Sequence, residues 1–128
     1  MRAYRIVAAI LGVLFLVQGL NWIIDPQSAA EGLAMPLLEG AARSTQVGDF
    51  ASFFVALGLM VLNGTRPGHA GSLYGGVLLL GGAAIFRTLA WLLHGAAFAA
   101  PTIAIEVVCA VFLIVAARQL STEGRAQG

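Results

Sequence analysis

Four long apolar runs, separated by turn-forming residues, constrain this sequence more than any other feature. A helix needs about 20 predominantly apolar residues to cross a membrane, and a chain of 128 residues has room for four such helices with loops between them. We therefore expect an all-α integral membrane protein, a four-helix antiparallel bundle forming one domain over residues 1–128. The predicted helices lie at about residues 5–24, 46–62, 73–93 and 102–120, with residues 25–45 as a long outer loop.

Composition narrows the function classes in the same direction. Hydrophobic residues make up 59% of the chain and charged residues only 10%, whereas soluble domains average about 25% charged. A soluble enzyme and a disordered chain are both excluded on this ground. The formal charge of +1 leaves no basic footprint for nucleic acid. The single cysteine, Cys109, cannot form an internal disulfide, and the isolated His69 and His94 offer no metal-ligand spacing, so we expect no metal site.

Arginine distribution predicts the orientation of the helices. Short loops on the cytoplasmic side of membrane proteins are enriched in Lys and Arg. Arg43 is the one arginine expected at the opposite end, in the long outer loop. We therefore predict that both termini are cytoplasmic, on the side that carries Arg2, Arg5, Arg66, Arg118 and Arg125.

Small residues and a capping pattern add local expectations. Small residues recur seven positions apart on each helix, at Gly12/Gly19, Ala51/Gly58, Gly75/Gly82 and Ala110/Ala117. Seven residues return to nearly the same helix face, where small side chains let two backbones approach closely. The alternative is that some of these faces, including Gly71 and Gly75, form a homo-oligomer contact. Within the outer loop, the pattern from Ser28 to Glu31 resembles a capping box, which predicts a short helix beginning at Ser28.

Polar side chains inside the apolar runs are the candidate functional residues. On the first helix, for example, Gln18, Asn21 and Trp22 share one face because they are three and four residues apart. Several phenylalanines, Phe50, Phe54 and Phe86 among them, are expected nearby. The predicted ligand-binding set is Gln18, Asn21, Trp22, Asp49, Phe53, Arg87, Trp91, His94 and Glu106.

Three charged residues in this set, on three different helices, are predicted to lie at one depth. A rise of about 1.5 Å per residue puts Asp49, Arg87 and Glu106 roughly 4–9 Å below the outer boundary. Because a charge inside the bilayer costs roughly 2.5–3.5 kcal/mol, we expect Arg87 to face the bundle interior. It would pair there with Asp49, Glu106 or both.

Two interpretations of this polar layer remain open from the sequence. The layer either holds the helices together by hydrogen bonds or lines a pocket for a lipid, isoprenoid or quinone-like molecule, with no other cofactor expected. A cavity of several hundred cubic ångströms that reaches the layer would favour the pocket. In that case the protein binds this molecule or serves as an accessory subunit of a membrane complex. Membrane lipids, a second copy of the chain or a larger complex are then its partners, rather than nucleic acid.

Two other functions stay as alternatives. An intramembrane isomerase or hydrolase would use Asp49 or Glu106 as acid or base and Arg87 to stabilise developing negative charge. A proton- or cation-coupled transporter would use the two carboxylates as its ion site. The cytoplasmic half of the bundle has no polar residues to continue such a path. We favour binding over catalysis.

The chain also resembles a known group of proteins. Gly19-Leu20 precedes a helix exit at Pro26, Gly48-Asp49-Phe50 opens the second helix, and Gly75-Gly76 in the third helix is followed by Arg87. Over about residues 4–120 this order resembles the DoxX-like group of small bacterial four-helix membrane proteins, including its uncharacterised-domain branches. The resemblance implies a bacterial inner-membrane location and, in some members, association with quinone-linked redox partners. This chain lacks the paired cysteines that direct thiol chemistry would need.

Overall fold

Helices account for nearly all of the chain in a computed structural model that describes residues 2–127. The α-helices are α1 (Arg2–Ile24), α2 (Pro26–Gly32), α3 (Gly40–Gly64), α4 (Leu73–His94) and α5 (Ala100–Gln127). A turn of 3-10 helix at Ala70–Ser72 leads into α4, and no β-strand occurs within the described residues. Met1 and Gly128, which the predicted domain includes, lie outside the described residues.

Four of these helices are long and apolar enough to cross a membrane. The candidate spans contain 23, 25, 25 and 26 residues, at Arg2–Ile24, Gly40–Gly64, Ala70–His94 and Ala100–Arg125. Each exceeds the roughly 20 residues that the hydrocarbon core requires. No more than 28% of any apolar window is buried inside the protein, so most of its surface is left for lipid. The prediction of an all-helical, multi-pass membrane protein is confirmed at this level.

Two of the long helices extend beyond the bounds that hydropathy predicted. Helix α3 begins at Gly40 instead of near residue 46, and α5 continues to Gln127 instead of ending near residue 120. Hydropathy marks the part of a helix that suits lipid. The backbone can stay helical beyond that part where good helix formers are present. Ala41 and Ala42, near the start of α3, are such residues. The predicted outer loop of residues 25–45 is therefore mostly helical, with a connection of only seven residues, 33–39.

The short helix α2 begins two residues earlier than the predicted capping box. Its cap is Asp25, whose side-chain Oδ1 accepts a hydrogen bond from the backbone N–H of Ser28 at 3.3 Å. Pro26 occupies the first helical position, where its missing N–H costs nothing. Ser28 is thus inside the helix, and the expectation that it forms the cap is wrong because the carboxylate three residues earlier takes that role.

Gln46 holds the connection between α2 and α3 in place. Its side chain is buried, with 3% exposed, and its Oε1 accepts a hydrogen bond from the N–H of Leu38 at 2.9 Å. Its Nε2 donates to the carbonyl oxygen of Pro36 at 3.0 Å. Because both polar ends of the amide are satisfied by backbone, the segment that follows α2 packs against the first turns of α3.

Glycine brings α1 and α3 into close contact. A Cβ atom added to Gly58 would lie 2.8 Å from the carbonyl oxygen of Gly12 and 2.7 Å from the backbone nitrogen of Leu16. A Cβ atom on Gly19 would lie 2.8 Å from the backbone nitrogen of Val55. The two backbones therefore touch at two places seven residues apart on α1, so the prediction is confirmed for α1 and α3. It is wrong for Gly82 of α4, which has open space where a Cβ would lie. In α4, Gly75 packs against Met60 of the same chain.

The helices associate as two pairs that share a core. Helix α1 packs on α3 and α4 packs on α5, while contacts between α3 and α4 join the pairs. The central buried side chains come from both pairs and include Leu57, Val61, Leu73 and Leu113, each fully inaccessible. At one end of this core the two pairs leave a cavity between them, and that cavity contains the charged residues singled out above.

Candidate ligand-binding site

The cavity between the helix pairs has a volume of about 400 Å³. All five α-helices contribute to its wall. Helix α2 closes the cavity on the side of the connection 33–39. Small-molecule sites usually measure about 300–1,000 Å³, so this volume falls within their range. The lining residues are Phe15, Gly32, Leu33, Asp49, Phe50, Phe53, Phe54, Ala83, Arg87, Thr102, Ile105 and Glu106.

An ion pair between α4 and α5 forms the polar part of the wall. The Nε atom of Arg87 lies 3.0 Å from Oε1 of Glu106. The N–H bond does not point along that line, so the contact is an ion pair without an aligned hydrogen bond. Only 9% of the Glu106 side chain is accessible, against 32% for Arg87. The prediction that Arg87 pairs with a carboxylate is confirmed for Glu106.

The position of Glu106 follows from the packing of α5. Glu106, Ala110, Leu113 and Ala117 are spaced four, three and four residues apart, and all are buried. They form one stripe along the helix. Arg87 continues the corresponding stripe of α4, which runs through Leu80 and Ala84. The two charged side chains therefore meet because each occupies the last position of an apolar packing face.

Aromatic rings from α3 form the opposite wall. Phe50, Phe53 and Phe54 are three and four residues apart and so share one face. Phe53 and Phe54 meet edge to face, with ring centroids 5.1 Å apart. Behind Phe50 lies Trp22, fully buried and stacked on that ring at 5.1 Å. Since Trp22 also packs against the two alanines of α2, it fixes the ring that lines the cavity.

Asp49 lies at the rim of the cavity. It is exposed, and it also lines a second cavity of about 440 Å³ between the connection 33–39 and the start of α3. Phe50 is shared by the two cavities as well. Among the residues that the structure describes, Glu106 is the carboxylate in ion-pair contact with Arg87, and Asp49 is not.

The structure brings together some of the predicted site residues and not others. Asp49, Phe53, Arg87 and Glu106 line the cavity, and Trp22 supports its wall from behind. Four others do not line it. Gln18 and Asn21 are half-buried on α1, and Trp91 and His94 are exposed near the end of α4.

Several lining residues were not singled out by the sequence. Phe15 lies three residues before Gln18, one helical turn deeper, and its aromatic character was the only signal available. Ala83 and Ile105 are ordinary residues of apolar helices. Gly32 and Leu33 reach the cavity only because α2 folds back over it. The expected Phe86, in contrast, is 70% exposed and faces away from the protein.

The arrangement suits recognition of an oxygen acceptor in an apolar setting. A guanidinium carries five N–H groups, and Glu106 contacts the nitrogen that bears only one of them. The four N–H groups on the two terminal nitrogens belong to a side chain that keeps 32% of its surface accessible. Within residues 2–127, no cluster of three His, Cys, Asp or Glu side chains with metal-binding geometry occurs.

Comparisons with family models, with curated proteins and with solved structures find no match to this chain. The fold and the cavity define its class as a helical multi-pass membrane protein with an aromatic, arginine-containing cavity between its helices.

Proposed function

We propose that this protein binds one amphipathic lipid, isoprenoid or quinone-like molecule in the cavity between its helix pairs. The observation that carries this proposal is that a 400 Å³ cavity with aromatic walls reaches the Arg87–Glu106 ion pair. If the polar layer only held the helices together by hydrogen bonds, we would expect no cavity beside the ion pair. A binding or accessory role in the membrane fits a cavity that combines aromatic walls with a partly accessible guanidinium.

The charges indicate which head groups fit best. Arg87 and Glu106 neutralise each other, and Asp49 at the rim adds a negative charge. An anionic head such as a fatty-acid carboxylate would be repelled by Asp49 and would compete with Glu106. A neutral carbonyl or ester oxygen can instead accept hydrogen bonds from Arg87 without disturbing the pair. We therefore favour a quinone, ester or other neutral oxygen acceptor over an acid.

We infer that the bundle is antiparallel, with both termini in the cytoplasm of a bacterium and the cavity in the outer half of the inner membrane. Five of the seven arginines support this orientation. Arg5 donates to the carbonyl oxygen of Thr65 at 2.6 Å and contacts Glu123 at 3.5 Å. These contacts bring the beginning of α1 to the ends of α3 and α5. The resemblance to the DoxX-like group supports the bacterial assignment.

Quenching of tryptophan fluorescence tests the proposal directly. The chain has two tryptophans, so a Trp91→Phe background leaves only Trp22, which stacks on the cavity-lining Phe50. We expect a short-tailed benzoquinone, added to the full chain in nonionic detergent, to quench Trp22 in a saturable way. A fatty acid of similar tail length should bind much more weakly.

Filling the cavity provides the decisive variant. Ala83→Phe places a ring in the cavity and should abolish saturable quenching, while Ala104→Phe, at an exposed position of α5, should leave it intact. Circular dichroism and size-exclusion chromatography confirm that both variants are folded. Equal quenching in folded Ala83→Phe and in the control would contradict binding in this cavity.

One observation also supports a second candidate, an intramembrane isomerase or hydrolase. The three groups that such chemistry would use, Asp49, Arg87 and Glu106, all line the same cavity. Asp49→Asn separates the candidates, because it should stop turnover of a bound substrate while leaving binding in place. Mass spectrometry of the molecule that co-purifies with each form detects the difference. If the wild type and Asp49→Asn co-purify with the same molecule, the result argues against catalysis.

A further inference from the structure

Another cavity, at the opposite end of the molecule from the one between the helix pairs, has the chemistry of an anion site. Its volume is about 590 Å³, and three arginines line it: Arg5, Arg66 and Arg125. Glu123 is the one carboxylate among its lining residues, so three guanidiniums against one carboxylate leave a formal charge of +2. Along α5, about 27 Å separates Leu120 in this cavity from Thr102 in the aromatic cavity. The two sites are therefore separate in space.

The three arginines are not equally available. Nη1 of Arg5 donates to the carbonyl oxygen of Thr65 at 2.6 Å, and its Nη2 lies 3.5 Å from Glu123. Arg5 thus serves mainly to join α1, α3 and α5. Arg66 and Arg125 are exposed, and Arg66 is oriented by Nη1 donating to the side chain of Asn63 at 2.9 Å. These two guanidiniums are therefore more accessible to a ligand than that of Arg5.

Backbone geometry leaves the floor of the cavity open. The turn after Arg66 contains Gly68 with a φ of +79°, a conformation that favours glycine. Neither Gly68 nor Gly71 has any atom within 4 Å of the place a Cβ would take. The rest of the floor is apolar, formed by the buried Ala70 and Leu120. A polar head group can therefore approach the arginines over an apolar floor.

We propose that this cavity binds a phosphate group, supplied by the head group of a phospholipid. Guanidinium recognises phosphate through paired N–H donors. The cavity lies where the spans begin and end, at Arg2 and Arg125, which is the level at which lipid phosphates occur. Two exposed arginines and a surplus of positive charge at the level of the span ends match the phosphate of a phospholipid head group.

Calorimetric titration of the full chain in nonionic detergent tests this proposal. The probes are dioctanoyl phosphatidylglycerol, dioctanoylglycerol, which lacks the phosphate, and inorganic phosphate. Each arginine near an anionic lipid surface contributes about fivefold to affinity. The double variant Arg66→Gln/Arg125→Gln should therefore bind phosphatidylglycerol about thirtyfold more weakly. Glu123→Gln should bind it about fivefold more tightly, a gain that a folding defect would not produce.

A matched control makes the test specific. Arg2→Gln/Arg118→Gln removes the same charge from exposed arginines that do not line the cavity, and it should bind like the wild type. Equal weakening in both double variants, or equal binding of dioctanoylglycerol, would overturn the proposal. Binding of inorganic phosphate alone, lost in Arg66→Gln/Arg125→Gln, would support the phosphate site and assign a free anion as its source.

Discussion

A double-mutant cycle across Arg87 and Glu106 measures how much the ion pair in the aromatic cavity contributes to stability. At an effective dielectric constant of about 20, unit charges 3.0 Å apart attract by about 5.5 kcal/mol. Most of that gain is offset by removing Glu106 from water, since only 9% of its side chain is accessible. We expect a net coupling of about 2 kcal/mol from the cycle of Arg87→Gln and Glu106→Gln.

The single variants should be more damaging than their combination. Glu106→Gln leaves the guanidinium of Arg87 without its counter-charge. Breaking a buried pair typically costs about 3–5 kcal/mol, and we expect about 2–3 kcal/mol here because a third of Arg87 is accessible. Removing the second charge as well should restore part of the loss. Unfolding is followed by circular dichroism in maltoside micelles titrated with dodecyl sulfate.

The ion pair between Arg5 and Glu123 provides the control cycle. Arg5 and Glu123 are 3.5 Å apart and keep 29% and 26% of their side chains accessible. Exposed pairs contribute about 0.2–1 kcal/mol, so this cycle should give about 0.5 kcal/mol. A coupling at Arg87–Glu106 no larger than that of the control would refute the claim that the cavity pair is shielded from water.

Two further predictions concern the packing that shapes the cavity. Gly58→Ala should destabilise the protein by about 2–3 kcal/mol in the same unfolding assay, because its Cβ would lie 2.7 Å from a backbone nitrogen of α1. Gly48→Ala, which has open space, should not destabilise it. Gln46→Ala should cost about 2 kcal/mol and speed amide hydrogen exchange at Leu38, whose N–H it releases. Thr45→Ala, at an exposed position, should leave that exchange rate unchanged, and equal exchange in both variants would contradict the role given to Gln46.

The sequence was most informative where energetic costs are large. The four spans follow from hydropathy because lipid tolerates few charges. The pairing of Arg87 follows from the cost of a lone charge in the membrane. Hydropathy does not determine where a helix ends in water. The start of α3 and the end of α5 therefore differ from the prediction. The closing of the cavity by α2 depends on contacts of Trp22 and Gln46, which no local pattern specifies.

Helix rotation explains which predicted site residues lie away from the cavity. Ala8, Gly12, Gly19 and Trp22 are the buried residues of α1, and they define the face that packs on α3. Trp22 lies at the edge of the glycine face, whereas Gln18 and Asn21 lie roughly 85° and 145° from the centre of that face. The glycine face and the face that carries Gln18 and Asn21 cannot both point into the bundle. The close backbone contacts at Gly12 and Gly19 fix the orientation of α1.

We infer that the ion pair is better explained by binding than by packing. Arg87 and Glu106 continue apolar stripes whose other members are aliphatic, so two leucines would fit the helix contact. Replacing a buried ion pair by apolar residues is often neutral or stabilising. We therefore expect Arg87→Leu/Glu106→Leu to unfold at the same or a higher dodecyl sulfate fraction than the wild type, yet to lose saturable quenching of Trp22 by benzoquinone. A large loss of stability in this double variant would instead mean that the charges hold the helices together.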